Sequence, residues 1–278
     1  MTDPISPKYV DVQDELPQRS VLLETTREGV AFVLLNRPAK KNAMDSAMLA
    51  AMTEAFDSLR GAEGVRIVFL RGADGAFCAG ADLDWMRRGA EMPEVDNRAD
   101  ALDLAHMLKA LHDIPALTVA LVEGPAFGGG AGLVAACDLA VATAGAKFAF
   151  SEVKLGLTPA TISPYVVEAI GRRNAKTLFA TGRVFGAADA QRYGLVGEVV
   201  ADAAALDAAQ DALAAEIMAC APGAIGDCKR LVDDVVGRPL DSHLLHETAR
   251  RIAARRSDPE GREGVAAFFE KRRPNWAM

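Results

Sequence analysis

Three glycines in a row, Gly128 to Gly130, stand just after the apolar run Leu117-Thr118-Val119-Ala120-Leu121-Val122. That run is short and rich in β-branched residues, the pattern of a buried strand. Where the strand ends, the glycines remove every Cβ, so the backbone can take positive φ and a ligand can touch it. Leu133 to Cys137 are apolar and helix-compatible. The free N–H groups opening that helix therefore point back at the turn, and such a corner attracts negative charge, either a phosphate or an oxyanion.

A second corner of the same kind lies upstream. Val65 to Gly72 reads as a strand, and Ala76-Phe77-Cys78-Ala79-Gly80-Ala81-Asp82-Leu83 as a small-residue turn that opens a helix. Two such corners can each aim one backbone N–H at a single thioester oxygen, and an oxyanion hole needs two converging donors. Downstream, Phe148-Ala149-Phe150-Ser151-Glu152-Val153-Lys154-Leu155 places a carboxylate in an apolar setting. A general acid/base with a raised pKa belongs in such a place.

These pieces together resemble the crotonase superfamily, also called the enoyl-CoA hydratase/isomerase family. The matching stretches are Asn36-Arg37-Pro38 with Lys41-Asn42-Ala43, Phe77 to Leu83, Gly124 to Gly130, Ala136-Cys137-Asp138 and Ser151 to Gly156. Arg183-Val184-Phe185, Gly194-Leu195-Val196 and the end from Glu263-Gly264 to Arg272 complete the set, in the family's order, over about residues 20 to 275. The resemblance implies an α/β fold, a spiral of ββα turns with a C-terminal helical region through which subunits form trimers or dimers of trimers. It implies an arm over 1–19, a spiral core over 20–200 and the helical region over 201–278.

Composition agrees with a globular enzyme. Half of the 278 residues are hydrophobic, enough for a large core. A net charge of −7 argues against nucleic acid as a partner. No apolar run is long enough to span a membrane, and the N-terminus lacks a secretory pattern, so a cytoplasmic location is expected. The four cysteines have neither metal-site nor disulfide spacing, and Cys78 and Cys137 read as packing residues.

Taken in order, Val21 to Thr25 and Val30 to Leu35 form a hairpin, and Asp45 caps a helix whose apolar face is Met48, Leu49, Met52, Ala55, Phe56 and Leu59. Arg87 to Ala99, charged and punctuated by glycine and proline, reads as a mobile segment beside the substrate. A helix over 100–113 follows, with His106 and His112 as surface or packing residues. Further helices are expected at 163–170, 173–181 and 187–193, then four from residue 203 to residue 271.

The resemblance assigns roles position by position. Ala81 and Gly129 match the oxyanion donors, acting through their N–H groups, and Glu152 matches the catalytic glutamate shared by hydratases and isomerases. A hydratase of this family usually has another glutamate where this chain has Gly132. Arg37, Lys41, Ala79, Asp82 and Leu83 border the CoA site, and Phe268 and Lys271 match positions that reach a neighbouring subunit's CoA. Asp84 stands where a CoA-binding lysine is common. Asp82, Glu123 and Asp138 read locally as caps or ion-pair partners.

The implied activity is addition of water to a 2-enoyl-CoA, with Glu152 handling both proton transfers. The stretch Ile162 to Val167 and the Gly132 replacement resemble bacterial hydratases of the 3-methylglutaconyl-CoA kind. Alternatives are a Δ3–Δ2 enoyl-CoA isomerase using Glu152 alone, or a non-catalytic CoA-binding oligomer. No metal or redox cofactor is implied, since CoA is part of the substrate.

Overall fold

The computed structural model describes residues 19–277. The expected N-terminal arm lies outside these, Arg19 apart. Strands β1 (Val21–Thr25) and β2 (Val30–Leu35) form the expected hairpin, with Val21 opposite Leu35 and Thr25 opposite Ala31. From β2 the sheet continues in parallel through β3 (Ile67–Gly72), β4 (Leu117–Val122), β6 (Leu139–Thr143) and β9 (Glu198–Val200). A second, smaller sheet joins β5 (Pro125–Phe127), β7 (Lys147–Ala149) and β8 (Phe185–Gly186).

In the middle of the chain the helices fit between these strands so that two successive turns each contribute one strand to each sheet and then a helix. Thus β4 and β5 lead into α4 (Gly129–Ala136), and β6 and β7 lead into α5 (Ser163–Thr181). This is a spiral of ββα turns. Side chains alternate across the large sheet, and both faces are covered. Ala31, Val33, Leu35, Val68, Leu70, Ala120 and Val122 meet α1 (Ser46–Arg60), α4 and α5 in the main core. Val30, Phe32, Ile67, Phe69, Val119 and Leu121 face the other way and pack beneath Leu206 and Ala214 of α7 (Ala203–Met218). Burial on both faces is why these strands read as continuous apolar runs. The Phe32 and Phe69 rings stack at 5.7 Å where β2 and β3 place them in register.

Polar side chains start the helices where the sequence suggests. Asp45 accepts from the Met48 N–H at 2.9 Å, and Asp202, Asp241 and Asp258 cap α7, α9 (Ser242–Ser257) and α10 (Pro259–Glu270) in the same manner. With α8 (Pro222–Val235) these make the four C-terminal helices. The two helices expected at 163–181 meet at Gly171, whose φ of 72° breaks α5.

The segment Arg87 to Ala99 differs from expectation. It is helical: α2 (Leu83–Glu91) turns at Met92 and Pro93 into α3 (Glu94–His112). Asn97 donates to the carbonyls of Gly89 and Met92 at 2.8 and 3.1 Å, which ties the corner. Glu94 and Asp96 sit favourably in the first turn of α3. Charge in this segment marks an exposed helical surface, and only the corner carries a break. His106 is exposed on α3, while the His112 ring lies 5.6 Å from Tyr165.

Candidate active site

Two loops after β3 and β4 run side by side because their backbones pair. Cys78 bridges Ala126, donating to Pro125 O at 2.9 Å and accepting from the Phe127 N–H at 3.0 Å. Gly80, at φ 96°, lies so close to the second loop that a Cβ there would stand 2.8 Å from Phe127 O. Likewise a Cβ on Gly130 would be 2.9 Å from Cys78 Cβ. Only glycine permits this approach, so the two glycine-rich corners come together as one structure.

A third strand-like segment joins them. Met44 bridges Ala81 in parallel: its N–H donates to Gly80 O at 2.8 Å, and its carbonyl accepts from the Asp82 N–H at 2.7 Å. In a parallel bridge of this form the bonds are made by the neighbours of Ala81, so Ala81's own N–H faces the opposite side. Gly129 opens α4, and a helix's first N–H groups have no partner within the helix. Neither the Ala81 nor the Gly129 N–H is bonded to any described residue. Both residues are half-buried, so both donors sit at the edge of solvent.

Glu152 begins a 3-10 turn, Glu152–Leu155, directly after β7. Its carboxylate reaches back to the glycine corner, where a Cβ on Gly128 would meet Glu152 Oε1 at 3.2 Å. The other carboxylate oxygen, Oε2, is buried with no hydrogen-bond partner among the described residues. Burial pushes this carboxyl above the usual range, with its own backbone N–H pulling partway back. A buried, unpaired carboxylate costs stability, and such groups concentrate at sites of proton transfer.

Gly132 is buried inside α4, facing Ile162. A Cβ on residue 132 would stand 2.9 Å from Ile162 Cβ and closer still to Cγ2. Ile162 is itself buried, so the space that a side chain at 132 would need is filled by hydrocarbon.

The basic residues are placed differently from one another. Arg37 is committed internally: it donates to the Ala43 carbonyl and pairs with Asp45 at 2.8 Å and Asp82 at 3.2 Å. Lys40 binds Asp82 at 3.1 Å and Asp84 at 3.3 Å. Asp82 therefore gathers two cations while also accepting from the Asp84 N–H as the cap of α2. Lys41 is exposed, makes no ion pair among the described residues, and holds the first loop through its carbonyl, which accepts from the Ala79 N–H at 3.0 Å. Leu83 is exposed at the start of α2. Phe268 on α10 and Lys271 just past its end are exposed; α10 packs against α9, and this chain alone does not bring them to the loops. Glu123 pairs with Arg71, and Asp138 with Lys229 at 2.6 Å, so neither is a free carboxylate. Burial raises the Cys78 thiol to about 12, as suits a packing residue.

Three residues that organise the site carried no catalytic role in the sequence reading, although Ile162 opens the stretch whose resemblance suggests a substrate type. Asn42, fully buried at φ 55°, accepts from the Arg37 N–H at 2.8 Å and donates to the Ala73 and Ala76 carbonyls. It locks the loop carrying Met44 against the turn after β3. Its only sequence signal was its place beside Lys41 and Ala43. Met44 and Ile162 are apolar residues whose importance lies in what they touch, and no local pattern marks that.

Comparison with known proteins gives a consistent picture. A family model described as enoyl-CoA hydratase/isomerase matches residues 25–278. The enoyl-CoA hydratase EchA19 of Mycobacterium tuberculosis is 36% identical over 254 residues, covering 90% of this chain and 94% of that protein. Among solved structures, AtuE of Pseudomonas aeruginosa superposes with a TM-score of 0.89 at 38% identity, covering 93% of this chain and 100% of the other. An enoyl-CoA hydratase from Shewanella pealeana gives 0.88 at 38% identity, covering 92% and 96%.

Proposed function

The chain belongs to the enoyl-CoA hydratase/isomerase family, the crotonase superfamily, and on that premise we propose that it adds water across the double bond of a 2-enoyl-CoA thioester. The N–H groups of Ala81 and Gly129 take the thioester oxygen. Glu152 holds a water molecule and accepts its proton as the water oxygen attacks carbon 3. Electron density moves through the double bond to the thioester oxygen, where the two amides stabilise it. Glu152 then returns the proton to carbon 2, giving the 3-hydroxyacyl thioester. Every atom of water is in the product and no redox cofactor takes part.

The observation that carries this reading is the unpartnered, buried Oε2 of Glu152, beside the glycine corner in which the Gly129 N–H, like that of Ala81 in the neighbouring corner, has no partner among the described residues. A proton carrier adjoining two free donors is what an enolate-forming reaction needs. Incubating the protein with crotonyl-CoA tests it: the conjugated thioester absorbance falls if water adds. A 3-methylglutaconyl thioester belongs in the same panel, because the stretch Ile162 to Val167 resembles hydratases for that substrate.

A second reading is a Δ3–Δ2 isomerase, and the Gly132–Ile162 contact favours it. With hydrocarbon at that position, Glu152 has no second carboxylate from residue 132 to share the water. One glutamate suffices to carry a proton between carbons 2 and 4. A 3-enoyl thioester that gains conjugated absorbance without net water uptake identifies this activity.

In either reaction Lys41, Ala79, Asp82 and Leu83 border the CoA, and Arg37 acts by holding their loop. Phe268 and Lys271 serve the CoA of an adjacent subunit in a trimer or a dimer of trimers. Exposed apolar residues on the C-terminal helices, among them Val265, Phe268 and Phe269, support that assembly. A cytoplasmic location completes the proposal, and no helix of the described residues is long and apolar enough to cross a membrane.

A further inference from the structure

We propose that Met44 is a positioning residue that sets the spacing between the Ala81 and Gly129 amides, an inference that rests on the oxyanion role given to those amides above. Met44 meets both donors by different means. Its backbone is bridged to Ala81 through the 2.8 Å bond to Gly80 O and the 2.7 Å bond from the Asp82 N–H. Its side chain ends on Gly129: a Cβ there would lie 4.0 Å from Met44 Sδ and well inside contact with Cε. The residue is 1% exposed.

The frame on either side of Met44 leaves little freedom for its backbone. Arg37 holds the carbonyl of Ala43, Asn42 is tied to the turn after β3, and Asp45 caps α1 while pairing with Arg37. The Cys78–Ala126 bridge joins the bodies of the two loops, and at Gly129 itself the strut is the unbranched thioether, whose length sets where the Gly129 N–H stands relative to Ala81. Oxyanion donors act within a narrow range of about 2.7–3.1 Å. A misplacement of about 1 Å can cost a hundredfold in rate. A shortened side chain lets the Gly129 peptide shift into the space that the Met44 terminus leaves, and the two N–H groups no longer share one oxygen.

The test is Met44→Ala beside Met44→Leu, read by steady-state kinetics and by difference infrared spectroscopy of bound butyryl-CoA, which lacks the reacting double bond. Met44→Ala should lower kcat by about tenfold or more with KM within about threefold. The bound thioester carbonyl should lose much of its shift to lower frequency. Met44→Leu, restoring most of the volume, should recover both kcat and the carbonyl shift. Should Met44→Ala fail to fold, Met44→Val carries the same comparison. Unchanged kcat and carbonyl shift in the shortened variants would overturn the proposal, as would a loss in kcat that leaves the carbonyl shift intact. The oxyanion reading fails separately, if wild-type protein itself does not shift the carbonyl.

Discussion

Gly132 and Ile162 are in contact, the isoleucine side chain occupying the space into which any side chain at 132 would grow. The position at which the family resemblance expects a hydratase's second glutamate is thus closed by packing. In the proposed reaction proton handling falls to Glu152, whose carboxylate is partly buried beside Gly128.

This contact predicts that Gly132→Glu alone does not gain a working carboxylate. Overpacking against Ile162 should cost about 1–3 kcal/mol or more, seen as a lower midpoint in urea. Combining Gly132→Glu with Ile162→Ala opens room, and hydration of crotonyl-CoA should rise above that of the single variant. Equal stability of Gly132→Glu and wild type would contradict the packing argument.

Glu152→Gln removes the proposed proton carrier and keeps the shape. Hydration or isomerisation should drop by about 10²–10⁴-fold in a folded protein. Undiminished turnover with every thioester in the panel would exclude Glu152 from the chemistry.

The pH dependence follows from the direction of the Glu152 shift. Burial raises its pKa, so kcat/KM should fall on the acid side with an inflection above the ordinary glutamate value of about 4.3. For stability the sign is opposite to that of a paired carboxylate. A raised folded-state pKa contributes stability that is present below the unfolded value and lost as pH rises through the folded value. At neutral pH ionised Glu152 therefore burdens the fold. Glu152→Gln should have the higher Tm at pH 7, and the gap should close in acid. A Tm difference independent of pH would refute this account.

Asp82 titrates in the other direction. Burial pushes its carboxyl up, but Lys40, the Asp84 N–H and Arg37 together outweigh that and hold it below the usual range. Its contribution to stability is present above the unfolded pKa of about 3.9 and is lost as pH falls through the lower folded value. Asp82→Asn should flatten the acid limb of the Tm profile. It should also lower turnover, because Asp82 follows Ala81 and anchors the start of α2. An unaltered acid limb would show that the ionised form has no such role.

Replacing the amide that precedes Gly129 by an ester removes one N–H without adding an atom. A donor of this kind is worth about 10²–10³-fold in kcat. The same change before Ala79, whose N–H is already bonded to Lys41 O, serves as a control and should act on stability rather than on rate. Near-normal kcat in the Gly129 ester would remove that amide from the mechanism.

Much of this protein was legible in the chain alone. Continuous apolar runs located the hairpin and the parallel strands, because a sheet covered on both faces buries successive side chains alike. Glycine runs located the two corners, since only glycine permits backbones to approach as Gly80 approaches Phe127. Asp45 located the helix start at Ser46, because capping is a local bond. Glu152 stood out as a carboxylate amid apolar residues. The segment from Arg87 to Ala99 was misjudged because its charges say which surface is wet, and the bonds from Asn97 that make it a tied helical corner depend on its fold. What tertiary structure alone decided is which side chain fills which space. Ile162 against Gly132, Met44 against Gly129 and Arg37 between Asp45 and Asp82 join residues distant in sequence or turned together only by the fold. Packing is a property of three-dimensional neighbours, and no one-dimensional pattern carries it.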